Sequence, residues 1–359
     1  MYRVIPFPRY PLIEKTTNAS YSTAVPPTAT YWKFPVAGSP LPAPRKTYIM
    51  GTLNVTPDSF SDGSVNNTLS AALDYAAASI AAGADILDVG GYSTRPGAAF
   101  VSTEEETARV VPVVHALRGV AQTRDVLLSV DTFRPEVAAA AVRAGANCVN
   151  DVYALSGPDF PPDATTVSHS TAMRAVLRDL AVPVVLMHSR GEASANKDYT
   201  AYDYAADPRG RGAVLEAVRV ELGEKVDLAV RGKGGLRRWL VIVDPGIGFS
   251  KTLDGNLEVL RGSSAIVDHT ATMGRDRASN PLAGYPTLIG ASRKSFLGAI
   301  LAQPDASGTY EGRETKPIER NFATAAAVAC AVQQEATIVR VHDVLEMGDV
   351  VRVTSLLWG

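Results

Sequence analysis

Polar residues recur where short apolar runs end, and their types could bind a ligand with two chemically different parts. One group consists of acids and an amide, namely Asp131, Asn150 and Asp244. The other group is cationic and comprises Arg95, Lys294, Arg340 and His342. Carboxylates and amides suit the N–H donors and ring acceptors of an aminopyrimidinone, whereas cations suit a phosphate. The residues therefore predict a site for a flat heterocycle that carries an anion.

Most of these residues also have an ordinary structural interpretation. An isolated Asp after a strand is more often the N-cap of the next helix, and Asp343 is expected to be one. His188 or His342 alone is more often a hydrogen-bonded structural histidine, and neither has the spacing of zinc ligands. A positive charge such as Lys294 at a helix start opposes the helix macrodipole, which favours a ligand there.

Eight short apolar runs alternate with eight segments in which apolar residues recur every three or four positions. The predicted strands are 48–54, 84–89, 126–131, 147–150, 183–187, 239–244, 286–290 and 337–341. The predicted helices are 68–82, 103–118, 135–144, 170–181, 208–230, 252–263, 318–334 and 343–357. Surface excursions are expected near 154–169, 264–285 and 304–317. This repeat predicts an α/β fold, the (β/α)8 TIM barrel, with one rim where all strands end. An open doubly wound sheet is disfavoured because no glycine-rich nucleotide turn follows the first strand.

Composition limits the partners and the compartment. The 359 residues are 46% hydrophobic with a net charge of −2, so no basic field attracts nucleic acid. No apolar run reaches the roughly 18 residues of a membrane span, and no secretory signal is evident, so we expect a cytoplasmic or mitochondrial protein. Cys148 and Cys330 lie in apolar segments and are expected to be free thiols. Residues 1–46 contain nine prolines and predict a linker or arm before a single domain at 47–359.

Two long runs carry a family resemblance. The segments 51–63 (GTLNVTPDSFSDG) and 93–97 (STRPG) closely resemble the two signature loops of dihydropteroate synthases. Shorter matches follow in family order at 131–132, 149–151, 187–188, 244–249, 292–295 and 340–344. The resemblance covers roughly residues 46–359. It implies condensation of 6-hydroxymethyl-7,8-dihydropterin pyrophosphate with p-aminobenzoate to give 7,8-dihydropteroate and pyrophosphate in folate biosynthesis.

The resemblance also implies partners for individual residues. The pterin would contact Asp131, Asn150, Met187, Asp244, Phe249, Lys294 and Arg340, with Arg340 over its face. The pyrophosphate would contact Asn54, Thr94, Arg95, Ser292, Arg340 and His342, and Asn54 would also touch a Mg2+ ion. The p-aminobenzoate site, where sulfonamides compete in this family, would be bordered by Phe60, Thr94, Pro96 and Ser295. The catalytic residues would be Asp131, Lys294 and Arg95.

In the implied mechanism, pyrophosphate leaves the pterin methylene, Asp131 stabilises the cation, and the arylamine then attacks. Loop closure would exclude water from that cation. Ser64 and Tyr92 depart from common family patterns and put loop closure in question. The family also implies a homodimer paired through its last helices. The proline-rich arm resembles the connector that follows a pyrophosphokinase domain in multifunctional folate-synthesis proteins.

Three other functions stay open at this point. Lys294 could form a Schiff base in an aldolase-type barrel. A pterin-binding barrel that transfers a methyl group could share Asp131, Asn150 and Asp244, but it leaves the cationic set unexplained. A non-catalytic pterin-binding module is the third, and intact Asn54, Arg95 and Lys294 count against it.

Overall fold

The computed structural model describes residues 26–30, 32, 47–55, 65–93, 99–202, 212–232, 234–269, 272–273 and 278–358. Its strands are β1 (Tyr48–Asn54), β2 (Ile86–Gly90), β3 (Leu127–Asp131), β4 (Cys148–Asp151), β5 (Val184–Met187), β6 (Val241–Asp244), β7 (Thr272–Met273), β8 (Ala278–Ser279), β9 (Leu288–Ile289) and β10 (Ile338–Val341). Its helices are α1 (Val65–Ala81), α2 (Thr103–Gly119), α3 (Pro135–Ala144), α4 (Ala164–Leu180), α5 (Ala213–Arg231), α6 (Leu253–Arg261), α7 (Ser263–Ile266), α8 (Ser295–Leu301), α9 (Asn321–Gln333) and α10 (Val344–Trp358).

Eight strands form one parallel sheet that closes into a barrel. Their order is β6-β5-β4-β3-β2-β1-β10-β9, and every neighbouring pair is parallel. A parallel bridge between Val243 and Thr287 joins β6 to the residue before β9, and the Val243 amide donates to the Pro286 carbonyl oxygen at 2.9 Å. The ring is thereby complete, and the predicted (β/α)8 barrel is confirmed. The strands β7 and β8 form a separate antiparallel hairpin.

Side chains alternate between the barrel interior and the helix layer along each strand. On β1, Ile49 and Leu53 face outward into the main core between strands and helices. Tyr48 and Met50 instead join an inner apolar cluster at the amino end of the barrel. That cluster contains Trp32, Tyr48, Met50, Ile86, Leu127, Cys148, Val185, Ile242, Leu288 and Ile338. The apolar runs therefore fold as strands because both faces are buried, and polar groups are concentrated from the middle of each strand to its carboxyl end.

Part of the proline-rich segment packs against the amino end of the barrel. The Thr28 hydroxyl donates to the Leu180 carbonyl oxygen at 2.7 Å, and the Thr30 amide donates to that of Ala181 at 3.0 Å. The Thr30 hydroxyl also donates to the Asn147 carbonyl oxygen at 3.2 Å. These contacts bring Trp32 into the inner cluster. Most of the predicted arm at 1–46 lies outside the described residues.

Several predicted bounds were wrong. Helix α4 begins at Ala164 and not at 170, because the Asp163 carboxylate caps the amides of Thr165 and Thr166. Its first turn is polar, which hides the helical period. The short helix α8 was missed because seven residues are too few to show a period. The predicted excursion at 264–285 contains the hairpin, and β9 is shorter than predicted.

Two negative findings concern the described part of the chain alone. None of its helices is both long and apolar enough to cross a membrane. Its two cysteines are free, with Cys148 buried and Cys330 partly buried.

Candidate active site

The carboxyl ends of the strands surround a cavity of about 350 Å3. All seven residues predicted for the heterocycle line it, namely Asp131, Asn150, Met187, Asp244, Phe249, Lys294 and Arg340. Four further predicted residues line it too, namely Asn54, Ser292, Ser295 and His342. The predicted residues Phe60, Thr94, Arg95 and Pro96 lie outside the described part of the chain. The structure thus brings together every predicted site residue that it describes.

Arg340 joins two carboxylates at the base of the cavity. Its Nε donates to Asp88 Oδ2 at 2.7 Å and its Nη2 donates to Asp131 Oδ2 at 2.8 Å. Burial would lower the pKa of Arg340, but the two carboxylates raise it overall. Burial raises the pKa of Asp131 to about 7, with Asp88 adding to the rise and Arg340 opposing it. Burial therefore favours the neutral form of Asp131, whereas the ion pair with Arg340 favours the charged form.

Asn150 and Asp244 supply further polar groups from β4 and β6. The Asn150 Nδ2 donates to Asp88 Oδ2 at 3.0 Å, which leaves its oxygen as the other polar end of the amide. Asp244 Oδ1 accepts the amide of Gly246 at 2.7 Å. Burial raises the pKa of Asp244 to about 6, while that hydrogen bond and Lys294 oppose the rise. Two of the three acidic or amide residues are thus acids that burial makes harder to ionise.

Lys294 lies against the aromatic ring of Phe249. Its Nζ is 4.2 Å from the ring centroid, the geometry of a cation–π contact. Gly248, at φ +81°, permits this contact, because a Cβ there would stand 2.7 Å from the Lys294 Cδ. The glycine is therefore required both by its left-handed backbone and by the passage of the lysine stem.

His342 and Ser292 form a second polar group at the end of β10. The His342 Nδ1 lies 3.0 Å from the Ser292 Oγ, which also accepts the His342 amide at 3.2 Å. Beside them, Asp343 directly precedes α10, as expected for its cap, but its carboxylate binds the Nε of Arg293 at 3.0 Å. Arg293 has φ +59°, a strained value for a residue with a side chain, and such strain is common at functional sites.

A buried chain of hydrogen-bonded polar groups lies beside the loop that follows β6. Lys251 Nζ donates to the Gly246 oxygen at 2.9 Å and lies 3.0 Å from His188 Nδ1. His188 Nε2 lies 2.9 Å from Glu221, which also binds Arg190. Burial, together with Lys251, lowers the pKa of His188 to about 3, so this histidine is neutral. His188 is thus a hydrogen-bonded structural histidine, as predicted.

Among the described residues, Asn54 is the predicted ligand of a divalent metal ion in the cavity. That part of the chain holds no group of three or more His, Cys, Asp or Glu side chains able to bind a metal ion. Asn54 ends β1 and lines the cavity, and its side-chain amide has one oxygen that can act as a metal ligand. Mg2+ prefers oxygen ligands and keeps several waters, so one amide fits an ion held mainly by substrate phosphates.

Asp88 and Arg320 are charged residues of this region that the sequence analysis did not assign to the site. Asp88 is fully buried and bonds both Asn150 and Arg340. The sequence pattern could have indicated Asp88, because an acid two residues after Ile86 occupies an inward position on an otherwise apolar strand. Arg320 lines the cavity wall and donates to the Arg293 oxygen at 3.0 Å, but it follows a polar stretch without any local signal. A separate depression of about 560 Å3 lies among the outer helices and includes none of the strand-end residues.

Comparisons with known proteins agree with this geometry. Residues 50–342 match the family described as pterin binding enzyme. The chain is 39% identical over 314 residues to a dihydropteroate synthase of Synechocystis sp., covering 88% of this chain and 91% of that protein. It is 38% identical to a mitochondrial folate synthesis bifunctional protein of Pisum sativum, covering 91% of this chain but only 56% of that protein. A Clostridium difficile dihydropteroate synthase, solved in the presence of pteroic acid, is 32% identical with a TM-score of 0.68, covering 89% and 99% of the two chains.

Proposed function

Because the chain belongs to the dihydropteroate synthase family of pterin-binding enzymes, we propose that its strand-end cavity carries out that family's condensation. The reaction joins 6-hydroxymethyl-7,8-dihydropterin pyrophosphate to p-aminobenzoate and releases 7,8-dihydropteroate and pyrophosphate. It is the transfer of a pterin-methyl group to an arylamine. The observation that carries the proposal is the meeting of Asp131, Asn150, Asp244, Lys294 and Arg340 in one cavity.

The pterin assignment rests on matching hydrogen-bond types. The two carboxylates and the Asn150 oxygen accept hydrogen bonds, as the amino and N–H groups of a pterin require. Lys294 is a donor for the ring oxygen or nitrogen. Met187 and Phe249 offer apolar surface to the ring faces, which suits a flat heterocycle. Arg340 is held by two acids at the cavity base, where its plane can stack on the ring.

The pyrophosphate is assigned to the Asn54, Ser292 and His342 end of the cavity. Ser292 and His342 are already bonded to one another, which restricts their rotamers before substrate arrives. Arg95 and Thr94 complete this set in the proposal. Mg2+ would be touched by Asn54 and would neutralise charge on the pyrophosphate. Of the residues proposed to border the p-aminobenzoate site, Ser295 is the one within the described part of the chain.

The chemistry proceeds by departure of the pyrophosphate with the electron pair of the C–O bond. The pterin methylene becomes cationic, and a negative Asp131 stabilises it. The nitrogen of p-aminobenzoate then donates its lone pair to form the C–N bond, and that nitrogen loses a proton. No covalent enzyme intermediate is required. Lys294 and Asp131 thus act by charge and position within the cavity.

Assembly and cellular context belong to the same proposal. Helices α9 and α10 expose large apolar side chains, namely Phe322, Leu345, Val353, Leu356, Leu357 and Trp358. Burying them in a homodimer would remove apolar surface from water. The bifunctional relative supports fusion to a further domain, which we propose to be a pyrophosphokinase. Its mitochondrial name supports a mitochondrial location, and a cytoplasmic location is the alternative in this proposal.

A turnover assay tests the function directly. The protein is supplied with the pterin pyrophosphate, p-aminobenzoate and Mg2+, and dihydropteroate and pyrophosphate are quantified. We expect both products in equal amounts. Omission of p-aminobenzoate is the control, and pyrophosphate without dihydropteroate would contradict the transfer. Borohydride inactivation in the presence of a carbonyl substrate would instead support Schiff-base chemistry at Lys294.

A further inference from the structure

Asp88 is a buried acid that stands behind the cavity wall. It lies in the middle of β2, in register with Thr52 of β1 and Ser129 of β3. Its exposed fraction is 0%, and it is not among the cavity-lining residues. Its Oδ2 nevertheless accepts hydrogen bonds from two residues that do line the cavity, Asn150 at 3.0 Å and Arg340 at 2.7 Å. Asp88 can therefore influence a ligand only through these two neighbours.

Stability of the fold does not explain a carboxylate at this position. Removing a charge from water costs several kcal/mol, and a buried ion pair often contributes less stability than apolar residues of the same volume. The inward position two residues earlier on the strand, Ile86, is apolar and belongs to the inner cluster. The acid instead provides direction, because it accepts hydrogen bonds and does not donate them.

That direction sets the polarity of Asn150. An amide side chain has one donor end and one acceptor end, and a carboxylate partner binds only the donor end. With its Nδ2 on Asp88, Asn150 is held in the orientation that turns its oxygen away from Asp88. The same Asp88 oxygen binds the Nε of Arg340, while Nη2 of Arg340 reaches Asp131. One buried carboxylate thus orients an acceptor and a guanidinium of the cavity.

We propose that Asp88 is a positioning residue that makes Asn150 an acceptor and holds Arg340 in place, so that the cavity selects the donor-bearing edge of the pterin. This inference rests on the proposed function. It predicts a selective defect in use of the pterin substrate, since p-aminobenzoate does not depend on the Asn150 oxygen.

The Asp88→Asn variant tests the proposal by steady-state kinetics with each substrate varied in turn. An amide at 88 can bind either end of Asn150, so the orientation is no longer enforced. We expect the KM for the pterin pyrophosphate to rise about tenfold or more, as for loss of a charged hydrogen bond. The KM for p-aminobenzoate should stay within about twofold. The acid limb of kcat/KM should also move to lower pH, because Asp88 no longer raises the pKa of Asp131. The other charged groups that act on Asp131, namely Arg340, Glu106 and Lys294, are unchanged in this variant.

Two further variants separate positioning from a structural role. In the double variant Asp88→Asn with Asn150→Asp, the amide at 88 donates to the acid at 150, whose other oxygen remains an acceptor. We expect the pterin KM of this double variant to lie closer to the wild-type value than that of Asp88→Asn. The double variant also tests the proposal if Asp88→Asn alone does not fold. Ser129→Ala is the matched control on β3, equally buried and outside the cavity lining, and should change neither KM.

The outcomes are distinct. An unchanged pterin KM in Asp88→Asn would overturn the inference while the wild-type turnover leaves the function intact. A lower melting temperature with both KM values unchanged would show a structural role only and would overturn it too. If Asp88→Asn alone does not fold, the double variant is compared with Asn150→Asp alone and with Ser129→Ala. The inference is supported if the pterin KM of the double variant lies above that of Ser129→Ala and below that of Asn150→Asp. Equal pterin KM values in the double variant and in Asn150→Asp would overturn the inference. Failure of the wild type to form dihydropteroate would instead reject the proposed function.

Discussion

At the amino end of the barrel the inward side chains are apolar, and Trp32 packs among them. At the carboxyl end, two to four residues further along the same strands, most inward side chains are polar or charged. On β2 the change runs from Ile86 to Asp88, and on β3 from Leu127 through Ser129 to Asp131. The amino end is packed for stability, and the carboxyl end keeps charges that a ligand can use.

Acidic side chains at the carboxyl end have raised pKa values, which shows that their burial costs free energy. Burial raises the pKa of both Asp131 and Asp244, which means that the fold disfavours their charged forms. Arg340 offsets part of this cost at Asp131. The amino end carries no such cost, since its inward residues have no charge. The comparison suggests that mutations at the two ends should affect different measurements.

The largest effect is expected for Asp131→Asn at the charged end. It removes the negative charge that the proposed function places beside the pterin methylene, so kcat/KM should fall by a factor of about 100 to 1000. The melting temperature should not fall in proportion, because the variant also removes a buried acid. Pyrophosphate release and thermal unfolding measure the two quantities. Near-normal turnover in this variant would remove the cation-stabilising role assigned to Asp131.

A smaller effect is expected for Ile86→Val at the apolar end. Loss of one methylene from a residue that is 1% exposed should reduce the free energy of unfolding by about 0.5–1.5 kcal/mol. Both KM values and kcat of the folded enzyme should stay within about twofold. Urea unfolding measures the change in stability, and steady-state kinetics of the folded variant measures KM and kcat. A changed KM for the pterin substrate would show that the two ends are not independent.

A third effect concerns the pH dependence of stability. The pKa of an unfolded Asp is about 3.9, whereas that of Asp131 in the fold is about 7. The folded state therefore holds a proton that the unfolded state has lost, and this contribution to stability is present below about pH 4 and disappears as pH rises through 7. We expect the melting temperature of the wild type, relative to Asp131→Asn, to decline between pH 5 and 8. Parallel curves for the two proteins would contradict the raised pKa.

The residues of the site were largely predictable, because strand ends in a repeated βα pattern must meet at one rim. Asp131, Asn150, Asp244, Lys294 and Arg340 are spread over more than 200 residues, yet they line one cavity. Boundaries were less predictable. The polar first turn of α4 and the seven-residue α8 carry no clear apolar period, and tertiary contacts decide where such elements begin.

The sequence by itself determined the barrel and the chemical types at its rim, because period-two strands, helical spacing and strand-end motifs are local properties of the chain. Only the tertiary structure decided which polar groups pair with one another. The bonds from Asp88 to Asn150 and Arg340, from Arg340 to Asp131 and from Ser292 to His342 join residues 50 to 252 positions apart. Such pairs depend on the register and closure of the sheet, which bring distant strands within hydrogen-bonding distance.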